Sequence, residues 1–284
     1  MELPGPDYPA PAKLNLFLHV VGRRPDGYHL LQSVFTLIDR ADRIRVALRD
    51  DGTIRRVNDV AGVPADDDLA VRAARALRAA SRTPLGADIE IDKRIPMGGG
   101  LGGGSSDAAT VLRVLNRLWG LDLPPPELTA IGAALGADVP FFLSGRPAWV
   151  EGVGERLAAI DLPVRWYVVL VPPVHVPTPV VYAAPELTRN TEALKMEDFS
   201  ARLDDSRLRN DLEPVVVSRY PAVGEHLAWL ARHGRARMTG SGGCVFAPFA
   251  TREAADRVME ALPEGMKGFI ARGLDDHPLR EVGL

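Results

Sequence analysis

Cysteine is almost absent from this 284-residue chain, in which Cys244 stands alone. A single cysteine excludes an intramolecular disulfide and a zinc site built from cysteines, and it fits a reducing compartment. Charge of one sign does not prevail either, because 34 Lys and Arg stand against 37 Asp and Glu, for a formal net charge of −3. We therefore expect no nucleic-acid partner, since sequence-independent phosphate binding requires a basic surface.

Long hydrophobic runs are missing as well. The N-terminal region has no basic start and only a short apolar strand, so we expect neither a signal peptide nor a membrane partner and predict a cytoplasmic protein. With 46% hydrophobic residues, the chain can bury one large core or two modest ones. We predict two domains, residues 1–160 and residues 161–284, the second of them α+β.

Glycine, by contrast, is concentrated in one place, where it fills six of the seven positions 98–104. Before it, residues 87–95 alternate between apolar and polar side chains, which is typical of a half-buried strand. After it, residues 108–119 carry apolar side chains at helical spacing. A glycine turn between a strand and the head of a helix lets backbone N–H groups approach an anion. The pattern predicts a phosphate-binding loop.

The start of that helix is predicted from its polar residues. Ser105 or Ser106 is expected as the N-cap, with Asp107 in the first turn and Gly120 as the stop.

Two familiar phosphate loops fit this segment poorly. A P-loop needs a lysine before its Ser or Thr, and residues 103–106 read Gly-Gly-Ser-Ser. The dinucleotide fingerprint matches formally at Gly98, Gly100 and Gly103, but the acidic residue about 20 positions on is Asp122, in a Gly/Pro turn. A flexible linker is disfavoured by the strand and helix on either side. The remaining interpretation is a loop that binds a triphosphate.

Three further segments carry candidate functional residues. In residues 11–20, three leucines alternate with Lys13, Asn15, Phe17 and His19, which predicts a strand with an apolar face and a polar face. Asp138 precedes an apolar run that begins with proline, and its simplest interpretation is a helix N-cap. Residues 238–246 form a second glycine turn between two short strands, which by itself indicates a hairpin or a bulge.

Taken in order, these segments resemble the superfamily of small-molecule kinases that act on galactose, homoserine, mevalonate and phosphomevalonate. The resemblance covers nearly the whole chain. It implies an α+β, two-domain small-molecule kinase fold of the galactose/homoserine/mevalonate kinase type, with the active-site cleft between the domains. Residues 1–160 would then be the N-terminal ATP-binding and catalytic domain, and residues 161–284 the C-terminal α+β substrate-side domain. The resemblance also implies ATP as cosubstrate and Mg²⁺ as the ATP complex. The match is strongest to the member whose acceptor is a CDP-linked sugar alcohol, on residues 11–16, 26–29, 96–106, 136–140 and 177–182.

The resemblance implies transfer of the γ-phosphoryl group of ATP to the 2-hydroxyl of a CDP-linked methylerythritol, in the non-mevalonate isoprenoid pathway. Two alternatives stay open. One is another kinase of the superfamily with a small alcohol such as homoserine or mevalonate, and the other is a non-enzymatic nucleotide-binding protein on the same fold.

The same resemblance assigns roles to individual residues. Asp138 takes the proton of the acceptor hydroxyl, with Lys13 beside it. The ATP-binding residues are then Leu69, Lys93, Pro96, Met97, Gly98, Gly99, Gly100, Leu101, Gly102, Gly103, Gly104, Ser105 and Ser106. The substrate-binding residues are Asn15, Tyr28, His29, Phe35, Thr178, Tyr182, Gly240, Ser241 and Gly242.

Tyr28, His29 and Tyr182 suit a cytosine ring, because aromatic faces can stack on it and a histidine can bond its edge. Asp68 falls near the adenosine position, although the acidic turn 66–68 is more simply interpreted as a solvated cap of the helix that follows. No dedicated carboxylate ligand for a metal is identifiable.

Overall fold

The computed structural model describes residues 3–199 and 205–280, so the outer limits predicted for the two domains, residues 1 and 284, lie outside the described residues. Within these ranges the chain forms ten strands and eight α-helices. The strands are β1 Tyr8–Arg23, β2 His29–Arg49, β3 Ile54–Arg56, β4 Gly86–Asp92, β5 Ala148–Gly152, β6 Arg156–Ala159, β7 Trp166–Leu170, β8 Arg237–Met238, β9 Val245–Phe249 and β10 Gly268–Leu274. The helices are α1 Leu69–Ser81, α2 Gly103–Leu118, α3 Pro125–Leu135, α4 Val139–Ser144, α5 Thr178–Tyr182, α6 Glu213–Arg219, α7 Pro221–Leu230 and α8 Arg252–Glu260.

Strand β2 is the centre of the sheet. It pairs antiparallel with β1 along most of its length, and it also pairs with β5, β10 and β4 in turn. Through β10 the sheet continues to β7, β9 and β8. One hydrogen-bonded sheet therefore connects the N-terminal and C-terminal halves of the chain, and the α+β fold class is confirmed. No helix in the described ranges is long and apolar enough to cross a membrane.

The apolar residues form three buried clusters. The first packs α1, α2 and α4 against β2 and β4, and the second packs α5 to α8 against β7 and β9. The third joins side chains of β1, such as Leu14 and Phe17, to Tyr167 and Phe246 from the C-terminal half. Burying one such side chain stabilises the fold by about 1.5–3 kcal/mol. Strand β1 is thus packed from both halves of the chain, which gives its polar residues a rigid base.

Two helices have side-chain caps at their N-termini. Thr251 caps α8, since its hydroxyl accepts from the N–H of Ala254 at 3.2 Å. Asp68 caps α1 by accepting from the N–H of Ala70 at 2.9 Å.

The acidic turn before α1 is not solvated at Asp68, which corrects that prediction. The Asp68 side chain is 9% exposed and also pairs with Arg56 at 2.6 Å. A carboxylate shared by a helix N-terminus and a guanidinium tolerates burial, because both partners replace water.

The segment from residue 87 to residue 107 differs from the prediction in two ways. Strand β4 ends at Asp92 rather than at residue 95, because the N–H groups of Arg94 and Ile95 bond to the Asp42 carboxylate and not to a neighbouring strand. Helix α2 begins at Gly103 with Gly102 as N-cap, so neither serine caps it and Asp107 lies in the second turn. Gly120, with φ of 65°, follows the helix end as predicted.

The strict alternation predicted for β1 is interrupted. Register shifts occur after Pro11, after Asn15 and after Val20. Because a bulge changes which face the following side chains reach, Phe17 packs in the same buried cluster as Leu14. Lys13 and Asn15, before the second shift, stay together as predicted.

Candidate active site

A cavity of about 1230 Å³ brings the predicted site residues together. It is lined by β1, the glycine loop of residues 96–105, the start of α4, the start of α5 and the second glycine turn. Of the residues predicted for catalysis, ATP and substrate, every one except Ser106 lies in its wall. Residues from both halves of the chain contribute, and the separate roles predicted for residues 1–160 and 161–284 stay a prediction.

The glycine loop has a backbone that other residues rarely adopt. Gly98, Gly100 and Gly102 have φ of 68°, 76° and 73°. A Cβ added to Gly100 would lie 2.2 Å from the carbonyl oxygen of Thr239, so no side chain fits there. The N–H of Lys13 donates to the carbonyl of Leu101 at 3.0 Å, which ties the loop to β1.

The second glycine turn supports the first. It is the turn of the β8–β9 hairpin, as its simplest interpretation predicts. It also packs on the glycine loop, because the N–H of Cys244 donates to the carbonyl of Gly99 at 3.2 Å. The Thr239 hydroxyl accepts from the N–H of Asn15 at 3.0 Å. The turn therefore connects the loop to strand β1 as well as lining the cavity.

Lys13 and Asp138 meet in the cavity wall. The Lys13 ammonium lies 3.5 Å from the Asp138 carboxylate, donates to the Asn15 side-chain oxygen and sits 4.6 Å from the centroid of the Phe35 ring. Asp138 occupies the N-cap position of α4, yet its side chain makes no capping hydrogen bond. The cap interpretation therefore holds for the backbone only, and the carboxylate, 31% exposed, is available to a bound molecule.

Lys93 reaches the cavity with its charge already paired. Its ammonium donates to Asp42 and, at 2.7 Å, to Asp107. Burial raises the pKa of Asp107 to about 8 even though Lys93 opposes the shift, and Oδ1 of Asp107 is buried without a hydrogen-bond partner. Two carboxylates share one ammonium here, and Asp42 also accepts two backbone N–H groups. Of the two carboxyl groups, we therefore expect Asp107 rather than Asp42 to be the protonated one.

The two serines after the loop have different positions. Ser105 lines the cavity, whereas Ser106 is buried and its hydroxyl donates to the carbonyl of Pro11 at 2.7 Å. The Ser106 hydroxyl thus connects α2 to β1, and the place of Ser106 among the ATP-binding residues stays a prediction.

The aromatic residues predicted for the base lie in the cavity wall. Tyr28 is 64% exposed, which excludes a role as a core tyrosine. The rings of His29 and Tyr182 are 5.1 Å apart between centroids. Burial, and secondarily the charge of Asp138, raise the pKa of Tyr182, so this ring lies within electrostatic reach of the Lys13–Asp138 pair. Nearby, the hydroxyls of Thr178 and Ser241 are 2.5 Å apart.

Sequence reasoning gave no role to His175 and Arg23, which are among the other residues of the wall. His175 lines the cavity and contacts the loop so closely that a Cβ on Gly98 would lie 2.3 Å from its Nδ1. Its only signal is a position shortly after the prolines that follow β7. Arg23 lines the cavity with no carboxylate within ion-pair distance in the described part of the chain. Its neighbour Arg24 pairs with Asp26 at 2.6 Å.

Comparisons with known proteins agree with this geometry. Residues 68–146 match the model of the GHMP kinases N terminal domain, and residues 185–268 match that of the GHMP kinases C terminal. A homoserine kinase structure from Cytophaga hutchinsonii, 17% identical with a TM-score of 0.67 over 98% of each chain, shares the fold. The chain is therefore an ATP-dependent small-molecule kinase of the GHMP superfamily.

Relatives with higher sequence identity define the family within this superfamily. A 4-diphosphocytidyl-2-C-methyl-D-erythritol kinase of Thiobacillus denitrificans is 65% identical over 96% of both chains, and one of Aromatoleum aromaticum is 57% identical over 96% of this chain and 95% of its own. A crystal structure of 4-(cytidine 5'-diphospho)-2C-methyl-D-erythritol kinase is 36% identical, with a TM-score of 0.79 over 94% of this chain and 99% of the other. The chain belongs to the 4-diphosphocytidyl-2-C-methyl-D-erythritol kinase family.

Proposed function

We propose that this kinase transfers the γ-phosphoryl group of ATP to the 2-hydroxyl of 4-diphosphocytidyl-2-C-methyl-D-erythritol, with Asp138 as the proton acceptor. The observation that carries the proposal is the 3.5 Å contact between the Lys13 ammonium and the Asp138 carboxylate in the wall of the cavity that the glycine loop also lines. Phosphoryl transfer asks the protein mainly for positioning and charge stabilisation, and this cavity offers both.

The phosphates of ATP are proposed to bind the glycine loop. Its left-handed glycines expose backbone N–H groups without a Cβ in the way, and the N-terminus of the 16-residue helix α2 adds a positive dipole. Magnesium would enter as the ATP complex, which is how kinases commonly hold it. No group of three or more His, Cys, Asp or Glu side chains that could hold a metal ion occurs in the described ranges. The Ser105 hydroxyl in the cavity wall is proposed to reach the ion through a phosphate or a water.

The acceptor hydroxyl is proposed to lie against Asp138. The carboxylate would accept its proton as the oxygen attacks the γ-phosphorus, and Lys13 would neutralise the charge that collects there. Lys13 cannot move freely, because it is 3% exposed and is held by Asn15 on the same strand. A fixed ammonium costs no reorganisation during the reaction.

The cytidine moiety is proposed to lie among Tyr28, His29 and Tyr182. Stacking of a base on an aromatic side chain contributes on the order of 1–3 kcal/mol. Arg23, on the same part of the wall and without a carboxylate partner in the described ranges, is suited to the diphosphate.

An ATP-consumption assay tests the proposal on a panel of four acceptors: the CDP-linked methylerythritol, homoserine, mevalonate and galactose. We expect turnover of the first alone. Turnover of only one of the other three would instead identify the chain as a different kinase of the superfamily, and the absence of any turnover with intact ATP binding would favour a non-enzymatic protein.

A further inference from the structure

Arg189 lies behind the cavity wall and bonds to a residue of the base region. It does not line the cavity, yet its Nε–H donates to Nε2 of His29 at 3.0 Å. The rest of its guanidinium donates to the main-chain carbonyls of Leu187 at 2.9 Å, Tyr182 at 3.1 Å and Ala184 at 2.7 Å. The side chain is therefore held from four directions.

This bond determines where His29 carries its proton. Arginine has only donors and does not lose its charge in proteins, so the ring nitrogen that faces it must offer a lone pair. A neutral imidazole with a lone pair on Nε2 carries its hydrogen on Nδ1. Among residues 3–199 and 205–280, no hydrogen bond is made by Nδ1 of His29, and the residue lines the cavity.

We propose that Arg189 is a positioning residue that holds His29 as the neutral Nδ1–H tautomer, so that the base region presents a ring N–H donor and selects cytosine over uracil. This rests on the proposed function. The Nδ1–H donor is proposed to meet N3 of the base, where cytosine has a lone pair and uracil carries a hydrogen that would oppose the donor. The O2 carbonyl accepts in both bases and does not distinguish them. A buried donor facing a donor leaves both unpaired, and such a mismatch typically costs about 10- to 100-fold in kcat/KM.

The surroundings of His29 favour the neutral ring as well. Burial lowers its pKa, and the charges of Arg189 and Arg23 lower it further. The Tyr182 ring of α5 also contacts the His29 ring. It adds no charge at neutral pH, and burial raises its pKa further. The imidazole is thus flanked by two cations, one on β1 and one after α5.

A structural role for Arg189 has to be separated from a role through His29. Its bonds to the carbonyls of Tyr182 and Ala184 stabilise the segment that follows α5. Losing them would raise KM for any nucleotide-linked acceptor, whichever base it carries. Base selectivity and the protonation of His29 are the two quantities that a purely structural role leaves unchanged.

The first experiment measures the tautomer of His29 by ¹H–¹⁵N correlation spectra of the full-length protein without substrate. We expect a neutral Nδ1–H ring at pH 7 in the wild type, and in Arg189→Gln a mixture of tautomers with a higher pKa for His29. Arg219→Gln is the matched control, because Arg219 pairs with the exposed Glu186 at 2.7 Å instead. An Nε2–H ring in the wild type, or an unchanged ring in Arg189→Gln, overturns the proposal.

The second experiment compares kcat/KM for the CDP-linked acceptor and for its uridine analogue. We expect the preference for cytidine to fall by about tenfold in Arg189→Gln, with kcat for the cytidine substrate nearly unchanged. In a His29→Phe background, which keeps an aromatic ring but has no ring nitrogen for Arg189 to orient, Arg189→Gln should leave the preference unchanged. A preference that Arg189→Gln does not alter overturns the proposal. Absence of any turnover in the wild type would refute the proposed function, while the spectra still decide the tautomer.

Discussion

The proposed phosphate region and the proposed base region of one cavity are built from different materials. The phosphate region is backbone: residues 98–104 offer N–H groups, and Gly100 tolerates no side chain at all. The base region is side chains, since Tyr28 comes from the β1–β2 connection, His29 from the start of β2 and Tyr182 from the end of α5. A backbone site is local in sequence and shows itself as glycine, whereas a side-chain site exists only after distant segments meet.

The proposed catalytic pair, Lys13 and Asp138, lies in the wall of the same cavity. Its loss should give the largest effect on turnover. Replacing Asp138 by Asn keeps the shape but removes the proton acceptor, so we expect kcat to fall by about 10²–10⁴, or about 3–5 kcal/mol. KM for ATP should change little. Steady-state kinetics measure this, with Asp161→Asn as control, because Asp161 is 96% exposed and pairs only at the surface. Near-normal turnover of Asp138→Asn would remove the base assignment.

The backbone character of the phosphate region is tested at Gly100. Gly100→Ala places a Cβ 2.2 Å from the Thr239 carbonyl and must displace the loop. Because a shift of about 1 Å can cost on the order of 100-fold, we expect KM for ATP to rise by about 10- to 100-fold.

The matched control for Gly100 is Gly62→Ala. Gly62 has the same φ of 76° but nothing within 4 Å of an added Cβ. It should lose only about 1–2 kcal/mol of stability to backbone strain and keep its KM for ATP. Equal kinetic effects at both positions would show that strain, and not the packing of the loop against the second glycine turn, is what matters.

The side-chain character of the base region is tested with two adjacent arginines. Arg23→Gln should raise KM for the CDP-linked acceptor by about 5- to 10-fold with KM for ATP unchanged, since it removes a charge-assisted bond to the diphosphate. Arg24→Gln is the control, because the side chain of Arg24 does not line the cavity and its charge is already paired with Asp26. If both variants behave alike, Arg23 does not contact the acceptor.

The smallest effect on turnover is expected beneath the glycine loop, where a buried carboxyl changes the pH dependence of stability instead. Burial raises the pKa of Asp107 to about 8, so between about pH 4 and pH 8 the folded state holds a proton that the unfolded state has released. This group's contribution to stability is therefore present at low pH and is lost as pH rises. As pH rises through that window, the free energy of unfolding of Asp107→Asn should increase relative to that of the wild type by about 1 kcal/mol per pH unit.

Urea unfolding from pH 5 to pH 8 measures this slope. Asp122→Asn, at an exposed turn, serves as the control and should run parallel to the wild type. Parallel curves for Asp107→Asn as well would place the shared proton elsewhere in the Asp42–Lys93–Asp107 cluster.

The helix that follows the glycine loop shows how far sequence patterns reach. Its apolar spacing and its end near Gly120 were predictable, because both are local properties of the chain. Its start was not, because Gly102 in a left-handed conformation replaces the expected serine cap, and Ser106 bonds to Pro11 on a distant strand instead. The end of β4 was mispredicted for the same reason, since the Asp42 side chain takes the N–H groups that a strand would have used.

The set of chemical groups therefore follows from the sequence: a glycine loop before a helix, a lysine on a strand, an aspartate before an apolar run, and aromatic residues in two distant segments. Local conformational preference and side-chain chemistry suffice for these. Which of these groups are unpaired and able to contact a bound molecule depends on the tertiary structure. Lys93 proved to be paired with two carboxylates, Asp138 proved to lack a capping bond, and Arg189 proved to hold the ring of His29. Partners far apart in the chain decide this, because the charge, the protonation and the exposure of a group depend on what packs against it.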